Sequence, residues 1–426
     1  MSKGSILLKI LAALLLILLM VVLIRVFLLP PAGTVRLTAI AENEYDPAVW
    51  GQSYPLQYQS YLKNKEMAAS PTGFGGSEKY QKSTKEPEIL MNFKGMAFSK
   101  DYQEDRGHPY AVEDLIETKR VNPATPGSCM TCKTANLKDI YMEMGWRYAK
   151  TPLSELLPRI KHPITCANCH DPQTMKLQVI NPAFIEAMDL RGIDLQKASR
   201  EDMRSYVCAQ CHSEYYFEPE EKRVVFPWAK GLAPQEMYAY YSDIPFGFDM
   251  DWQHPDSQAK MLKAQHPDYE LFSGGVHARS GVSCADCHMP YMREGGRKYS
   301  SHWMTSPMKT VSASCRTCHT QDEKWLLESV KKVQNHVWDL QHTAGKTIAR
   351  AHDVIGKAGA APKVNQAELA RARELVRKSQ WFWDCIAAES SMGFHNSAQA
   401  LSTLGQSVDL AHQAIAAANR AAGTQH

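Results

Sequence analysis

The chain has 426 residues, 44% hydrophobic and 22% charged, with a formal net charge of +3. That is ordinary globular composition, with room for two or three domains. So small a positive excess excludes a nucleic-acid partner held by bulk charge, and neither a Gly-rich phosphate loop nor a basic-aromatic stripe occurs. What marks the chain is its 11 cysteines, ten of them in pairs with two residues between.

The N-terminus reads "MSKGSILLKILAALLLILLMVVLIRVFLLPPAG". Lys3 and Lys9 make a positive start, and Ile10 to Ile24 is uninterruptedly apolar. Arg25 breaks the run before Val26 to Leu29. A spanning helix needs about 20 apolar residues, so Ile10 to Leu29 suffices if Arg25, near the helix end, snorkels to the interface. One reading is a cleaved signal peptide with Ala39-Ile40-Ala41 as the processing site. The other is an uncleaved anchor, favoured because that site lies far beyond the apolar run. Both carry the bulk of the chain outside the cytoplasmic membrane.

Residues 1–30 are thus a signal-anchor or signal peptide, and 31–84 a linker and N-terminal segment rich in Pro, Tyr and Gln. From 85 to 320 the chain is irregular, with many Pro and Gly and only short helical patches. It has few periodic runs from which to build a core, so large apolar cofactors would supply it. Residues 321–426 change character. "QDEKWLLESVKKVQNHVWDLQHTAGKTIARAHDVIG" has helical spacing, "APKVN" breaks it, and a second helix follows that ends at Gly393. "SAQALSTLGQSVDLAHQAIAAANRA" is a third. Long terminal helices suit a bundle or a dimer interface.

The cysteine pairs are 129/132, 166/169, 208/211, 284/287 and 315/318, with no fixed period. Four run into a histidine: Cys166, Cys169 and His170; Cys208, Cys211 and His212; Cys284, Cys287 and His288; Cys315, Cys318 and His319. Cys-x-x-Cys-His attaches a c-type haem through two thioethers, with the histidine as axial ligand. Zinc and disulfides also use paired cysteines. With 16 His in the chain, however, histidine after four of five pairs is a chance event of about one in 100,000. Each electron-carrying haem then needs a second axial histidine. Twelve remain, and spacing does not say which serve.

The first pair departs: Cys129 and Cys132 precede Lys133. An amine binds a metal only without its proton, a costly arrangement in an electron wire. It suits an iron with one open face that performs chemistry; the alternative is a pair without haem. Cys385, unpaired in "QWFWDCIAA", reads as a buried structural thiol.

One Cys-x-x-Cys-Lys followed by four Cys-x-x-Cys-His resembles the pentahaem cytochrome c nitrite reductases, the ammonia-forming catalytic subunit. "DYQEDRGHPYAVEDLIETKR" (101–120), "CHSEYYF" (211–217), "LKAQHPDYE" (262–270) and "GGVHARSGVSCADCHMP" (274–290) extend the likeness. The resemblance implies a mainly α multihaem c-type cytochrome with little sheet, a haem-packed core and long C-terminal helices. It implies five covalently bound haem c groups, with Arg120, Tyr215 and His266 around the open iron face at Lys133. It implies His108 as second ligand for the third haem, His277 for the fifth, His302 for the second and His395 for the fourth. The remaining histidines (His162, His254, His336, His342, His352, His412 and His426) are then surface or packing residues.

The resemblance also implies calcium, held by Glu214 and Gln265 side chains with the Tyr215 and Lys263 carbonyls, a hard-oxygen set. Activity would be six-electron reduction of nitrite to ammonium. The partners would be a membrane quinol-oxidising cytochrome as electron donor and a second copy of the chain. Arg120 would hold the anion, His266 would donate protons, and Tyr215 would offer a hydroxyl. Sulfite, hydroxylamine or nitric oxide as main substrate is an alternative, as is a non-catalytic electron carrier. The anchor-like N-terminus departs from family members that are soluble after signal removal.

Overall fold

The computed structural model describes residues 3–27, 37–244 and 249–423; side chains 3–8 and 23–27 lie outside the description, as does His426. Among the described residues the architecture is helical. Strand is confined to three antiparallel hairpins: Tyr216–Phe217 with Val224–Val225, Trp252–Gln253 with Lys260–Met261, and Tyr291–Glu294 with Arg297–Ser300. No cysteine is disulfide-bonded to another, so disulfides do not explain the pairs.

The C-terminal helices run Glu323–Gly359, Gln366–Ala387 and Ser397–Ala421. Asp322 caps the first by accepting from Trp325 N–H at 2.8 Å. Asn365 caps the second through the Ala367 and Glu368 amides. Along the first helix Val330, Gln334, Val337, Gln341, Ala344, Ile348, Ala351, Ile355 and Ala358 are buried. Steps of four and three alternate, the 3.5-residue repeat that keeps one seam facing its partners. The third helix buries mostly alanine, which lets its neighbours approach closely. Ser379 and Ser407 cross-link the second and third helices, each hydroxyl donating to the other's carbonyl at 2.7 Å.

The second helix ends at Ala387, not at Gly393 as its pattern predicts. Residues 388–393 form a turn fixed by side chains from elsewhere. Asp268 accepts from Ser390 N–H at 2.7 Å, and Glu389 accepts from Gly393 N–H at 3.2 Å. Gly393 sits at φ 74° and starts the short 3-10 turn Phe394–Asn396. That turn aims His395 at the interior.

Within the segment 31–84 the described residues 37–84 carry helices. Pro47–Ser53 and Pro55–Leu62 are helical, and Ile40, Tyr45 and Trp50 pack on Ala135 and Ala167. Thr38 already belongs to the fold: its N–H donates to Ser53 Oγ at 2.8 Å. The first helix runs Lys3–Phe27, and Ile10 to Val22 stand exposed. Among the described residues no helix is long and apolar enough to cross a membrane. Side chains of this helix are described only for residues 9–22, short of the about 20 that a span requires; the rest of the Ile10–Leu29 run lies outside the described residues.

Candidate functional site

Residues mainly of 85–320, joined by Tyr61, Val330, Ser390 and His395 among others, line a cavity of about 2110 Å³, well beyond the roughly 300–1,000 Å³ of a single small-molecule pocket. All ten paired cysteines line it, with Lys133 and His108, His170, His212, His266, His277, His288, His302, His319 and His395. None of the other described histidines does. One continuous space therefore gathers groups that the sequence scatters from residue 108 to 395.

Within it four pairs of histidines face each other, and His266 also stands 6.2 Å from His212. Ring centres are 6.3 Å apart for His108 and His212, 6.0 Å for His170 and His302, 6.3 Å for His277 and His319, and 6.3 Å for His288 and His395. Two metal–nitrogen bonds of about 2 Å each, plus a little over 1 Å from nitrogen to ring centre on either side, come to about 6 Å. Each pair thus has the spacing to grip one iron.

The tautomers fit as well. His170 Nδ1 is 3.0 Å from Met175 O, His288 Nδ1 2.9 Å from Thr305 O, and His302 Nδ1 2.9 Å from Ser300 O. A carbonyl only accepts, so each Nδ1 carries the proton and leaves Nε2 a free lone pair for a metal. Burial also pushes His288 and His302 down to about 4 and His108 to about 3, holding the neutral form that ligates.

Motif contacts give the order of the sites. Cys132 Sγ approaches Gln210 O, inside the third motif, at 3.8 Å. Cys208 of that motif meets Cys284 of the fourth. The third motif therefore sits between the lysine-bearing motif and the fourth.

Arg120, Tyr215, Gln265 and His266 line the same cavity as Lys133; the Lys133 charge acts on His266 and Cys129, and Arg120 acts on Cys129 and Tyr215. Tyr215 and His266 rings are 5.6 Å apart. Burial raises the Tyr215 phenol well above its usual value, so it stays protonated. His266 is pulled down to about 4, first by burial, with His212 and Lys133 adding and Asp268 opposing; its Nδ1 is buried without a partner. Its surroundings thus favour the neutral imidazole. Arg120 Nε donates to Thr118 Oγ1 at 3.2 Å, and Thr118 is held by Asp101 at 2.8 Å. The guanidinium lies 4.1 Å from the Phe98 ring.

Glu214 and the 263–265 segment lie side by side. Glu214 is completely buried; its carboxylate accepts from Gln265 N–H at 2.5 Å and Tyr241 O–H at 3.1 Å. Burial drives its pKa well up, with Glu270 adding and the Gln265 amide opposing. Nearby Glu270 is pushed up to about 8 and Asp251 to about 6, both by burial first. Lys263 is the one cation among them, bonded to Asp384 Oδ1 at 3.0 Å and ringed by Phe93, Phe98 and Tyr102 near 5 Å. Buried carboxylates in excess of cations fit a bound hard cation.

Sequence reasoning missed Asp268, 3.1 Å from His212 Nδ1, and Glu389, 2.5 Å from His395 Nδ1. It also missed Thr118, Phe98 and Tyr241. Asp268, Glu389, Phe98 and Tyr241 act across the fold, so nothing local marks them; Thr118 acts on Arg120 two residues on, but without a motif. Cys385 is buried, as its aromatic surroundings imply.

The model of the cytochrome c552 family matches residues 46–426. The chain belongs to the cytochrome c552 family. It is a c-type cytochrome, and the fold is that of a mainly α multihaem protein. It is similar to cytochrome c-552 of Bacteroides fragilis, 38% identical and covering 89% of this chain and 77% of the relative. It is similar also to the cytochrome c nitrite reductase subunit NrfA of Nitratidesulfovibrio vulgaris, 37% identical over 89% of this chain and 79% of the relative. A solved structure of the Desulfovibrio desulfuricans catalytic subunit (NrfA), described with two calcium sites, superposes with TM-score 0.87 at 37% identity. It covers 91% of this chain and 88% of that one.

Proposed function

We propose that this cytochrome c552 reduces nitrite to ammonium at the Lys133 site. The observation that carries the reading is the company Lys133 keeps: one amine among four Cys-x-x-Cys-His motifs, lining one cavity with Arg120, Tyr215 and His266, its charge felt at His266 and Cys129. The relatives named as nitrite reductases support it. The four facing histidine pairs support four haems held between two imidazoles: His170/His302, His108/His212, His288/His395 and His277/His319. Lys133 would hold the fifth. Bound haem supplies the iron that nitrite meets and the electrons that reduce it.

The chain supplies the rest. Arg120 presents a fixed planar cation to an anionic substrate, pre-oriented by Thr118 and Phe98. Nitrite takes six electrons and eight protons to become ammonium and two waters, so proton delivery matters as much as electron supply. His266, held neutral, passes protons on through its ring nitrogens, and Tyr215 donates a hydrogen bond to substrate oxygen. The calcium set is Glu214, Gln265 and the carbonyls of Tyr215 and Lys263. There the ion would fix the chain on both sides of the substrate and add positive potential for an anion. The buried excess of carboxylates supports it, as do the two calcium sites of the Desulfovibrio structure.

The N-terminal helix is proposed as an uncleaved anchor that holds the protein outside the cytoplasmic membrane, next to a quinol-oxidising cytochrome. Exposed Ile10 to Val22 support this. So does Thr38, whose tie to Ser53 cleavage at Ala41 would remove. A homodimer through the long C-terminal helices is proposed as well. Trp325, 52% exposed on the first of them, is a candidate contact.

The test is product stoichiometry with a chemically reduced dye as donor. One ammonium and six electrons consumed per nitrite support the reading. Faster turnover of sulfite or hydroxylamine by kcat/KM would replace the substrate, and no turnover of any of them would leave an electron carrier.

A further inference from the structure

Two buried carboxylates lie against the proposed axial histidines of two sites only. Asp268 Oδ2 is 3.1 Å from His212 Nδ1. Glu389 Oε1 is 2.5 Å from His395 Nδ1, a close ion-pair contact that is bent away from hydrogen-bond alignment. By contrast His170, His288 and His302 face neutral backbone carbonyls, and His108 Nδ1 has no partner. The second motif's pair, His170/His302, is thus served by carbonyls alone, while the third and fourth pairs have one carboxylate each.

The two carboxylates share one structural element. Asp268 also accepts from Ser390 N–H at 2.7 Å and Ser390 Oγ at 3.2 Å. Glu389 accepts from Ser391 Oγ at 2.8 Å and Gly393 N–H at 3.2 Å. One donor atom from each of Asp268, Glu389 and His395 lies within 4.8 Å of the others. The turn that ends the 366–387 helix early therefore holds both charges in register. Glu389 is 3% exposed and Asp268 7%, so water screens them little. Asp268 also donates its N–H to His266 O at 2.8 Å, on the wall of the proposed substrate site.

We propose that Asp268 and Glu389 are positioning residues that set the redox order of the relay, holding the third and fourth motifs' haems at lower potential than the second's. A carboxylate draws on the Nδ1 proton and makes the imidazole a stronger donor. A buried negative charge beside the ligand further favours the ferric state over the ferrous. A carbonyl contributes only a dipole. The haem next to the Lys133 site, bound by the third motif, becomes a stronger reductant than the one bound by the second.

The inference rests on the ligand assignment proposed above, which is read first. The wild-type holoprotein must show four low-spin bis-histidine signals by EPR; fewer would overturn both. With those signals present, spectroelectrochemical titration of the holoprotein at one pH tests the inference itself. D268N and E389Q remove charge and keep shape. E389Q is expected to raise the midpoint potential of one low-spin haem; D268N is expected to raise a different one most, with a smaller rise in the E389Q-sensitive couple because Asp268 also lies within 4.8 Å of His395, and the remaining couples hold. S390A strips a competing donor from Asp268 and is expected to move the D268N-sensitive couple in the opposite direction, downward. If one variant fails to load haem, the remaining two decide. Unmoved couples in fully loaded variants overturn the proposal.

Discussion

The C-terminal bundle and the cavity-bearing region 85–320 are built by opposite means. The bundle's core is its own side chains: Val337, Ile348, Ile355, Val376, Leu404 and Ala414 interlock at fully buried positions. The cavity region is held by short turns around a space of about 2110 Å³ lined by thiols and imidazoles. Its own apolar side chains, Phe184, Phe226, Trp228 and Tyr241 among them, pack beside that space rather than across it. The first region folds on periodicity. The second folds around what it binds, and this separates scaffold from chemistry within one chain.

Four experiments break or sharpen that contrast. The largest effect is expected from blocking haem attachment at the central motif. C208A/C211A should leave residues 85–320 open to limited proteolysis while the C-terminal helices persist. A cavity region that resists protease without haem would erase the distinction.

Next is the bundle itself. Ile348→Ala should cost about 2–5 kcal/mol in denaturant unfolding, the range for deleting a buried aliphatic side chain. The visible spectrum of the folded protein should not change. Calcium ranks third: raising free ion from trace to a hundred times its dissociation constant should stabilise by about 2.7 kcal/mol. E214Q should abolish that gain, as read by thermal unfolding with calcium titrated in.

The smallest effect concerns a pair that sequence reading set aside as packing. His254 and His352 are fully buried and stacked 3.7 Å apart at 8°. His352 Nε2–H donates to Gln380 Oε1 and its Nδ1 accepts from Ser257 Oγ–H, both at 2.8 Å. Burial pulls His352 down to about 3, with His254 adding, and lowers His254 too. The unfolded chain takes up protons first as pH falls below about 6.5. Stability is therefore lost between pH 6.5 and about 3, by up to about 1.4 kcal/mol per pH unit for His352. H352Q should flatten that slope in urea unfolding followed across pH.

What could be read from sequence follows from whether an interaction is local. Thioether attachment forces Cys-x-x-Cys-His into five consecutive residues, so cysteines and proximal ligands stand out unaided. The 4-3 alternation of Val330 to Ala358 likewise announces the long helix. His108, His277, His302 and His395 meet partners dozens to more than a hundred residues away, so spacing is silent about them; the family resemblance supplied them. Asp268 and Glu389 were invisible for a further reason: a carboxylate that orients an imidazole carries no motif. The helix end at Ala387 was misplaced because Gly393 is a good stop signal, whereas the stop in use is built by Asp268 and Glu389 from outside the helix.

The central claim is that Lys133 holds an iron whose other face is open to substrate. EPR and optical spectra of the purified oxidised protein, recorded with and without nitrite, test it most directly. One high-spin haem beside four low-spin ones, shifting when nitrite is added and lost in Lys133→Ala, is the predicted result. Five low-spin haems indifferent to nitrite would contradict it.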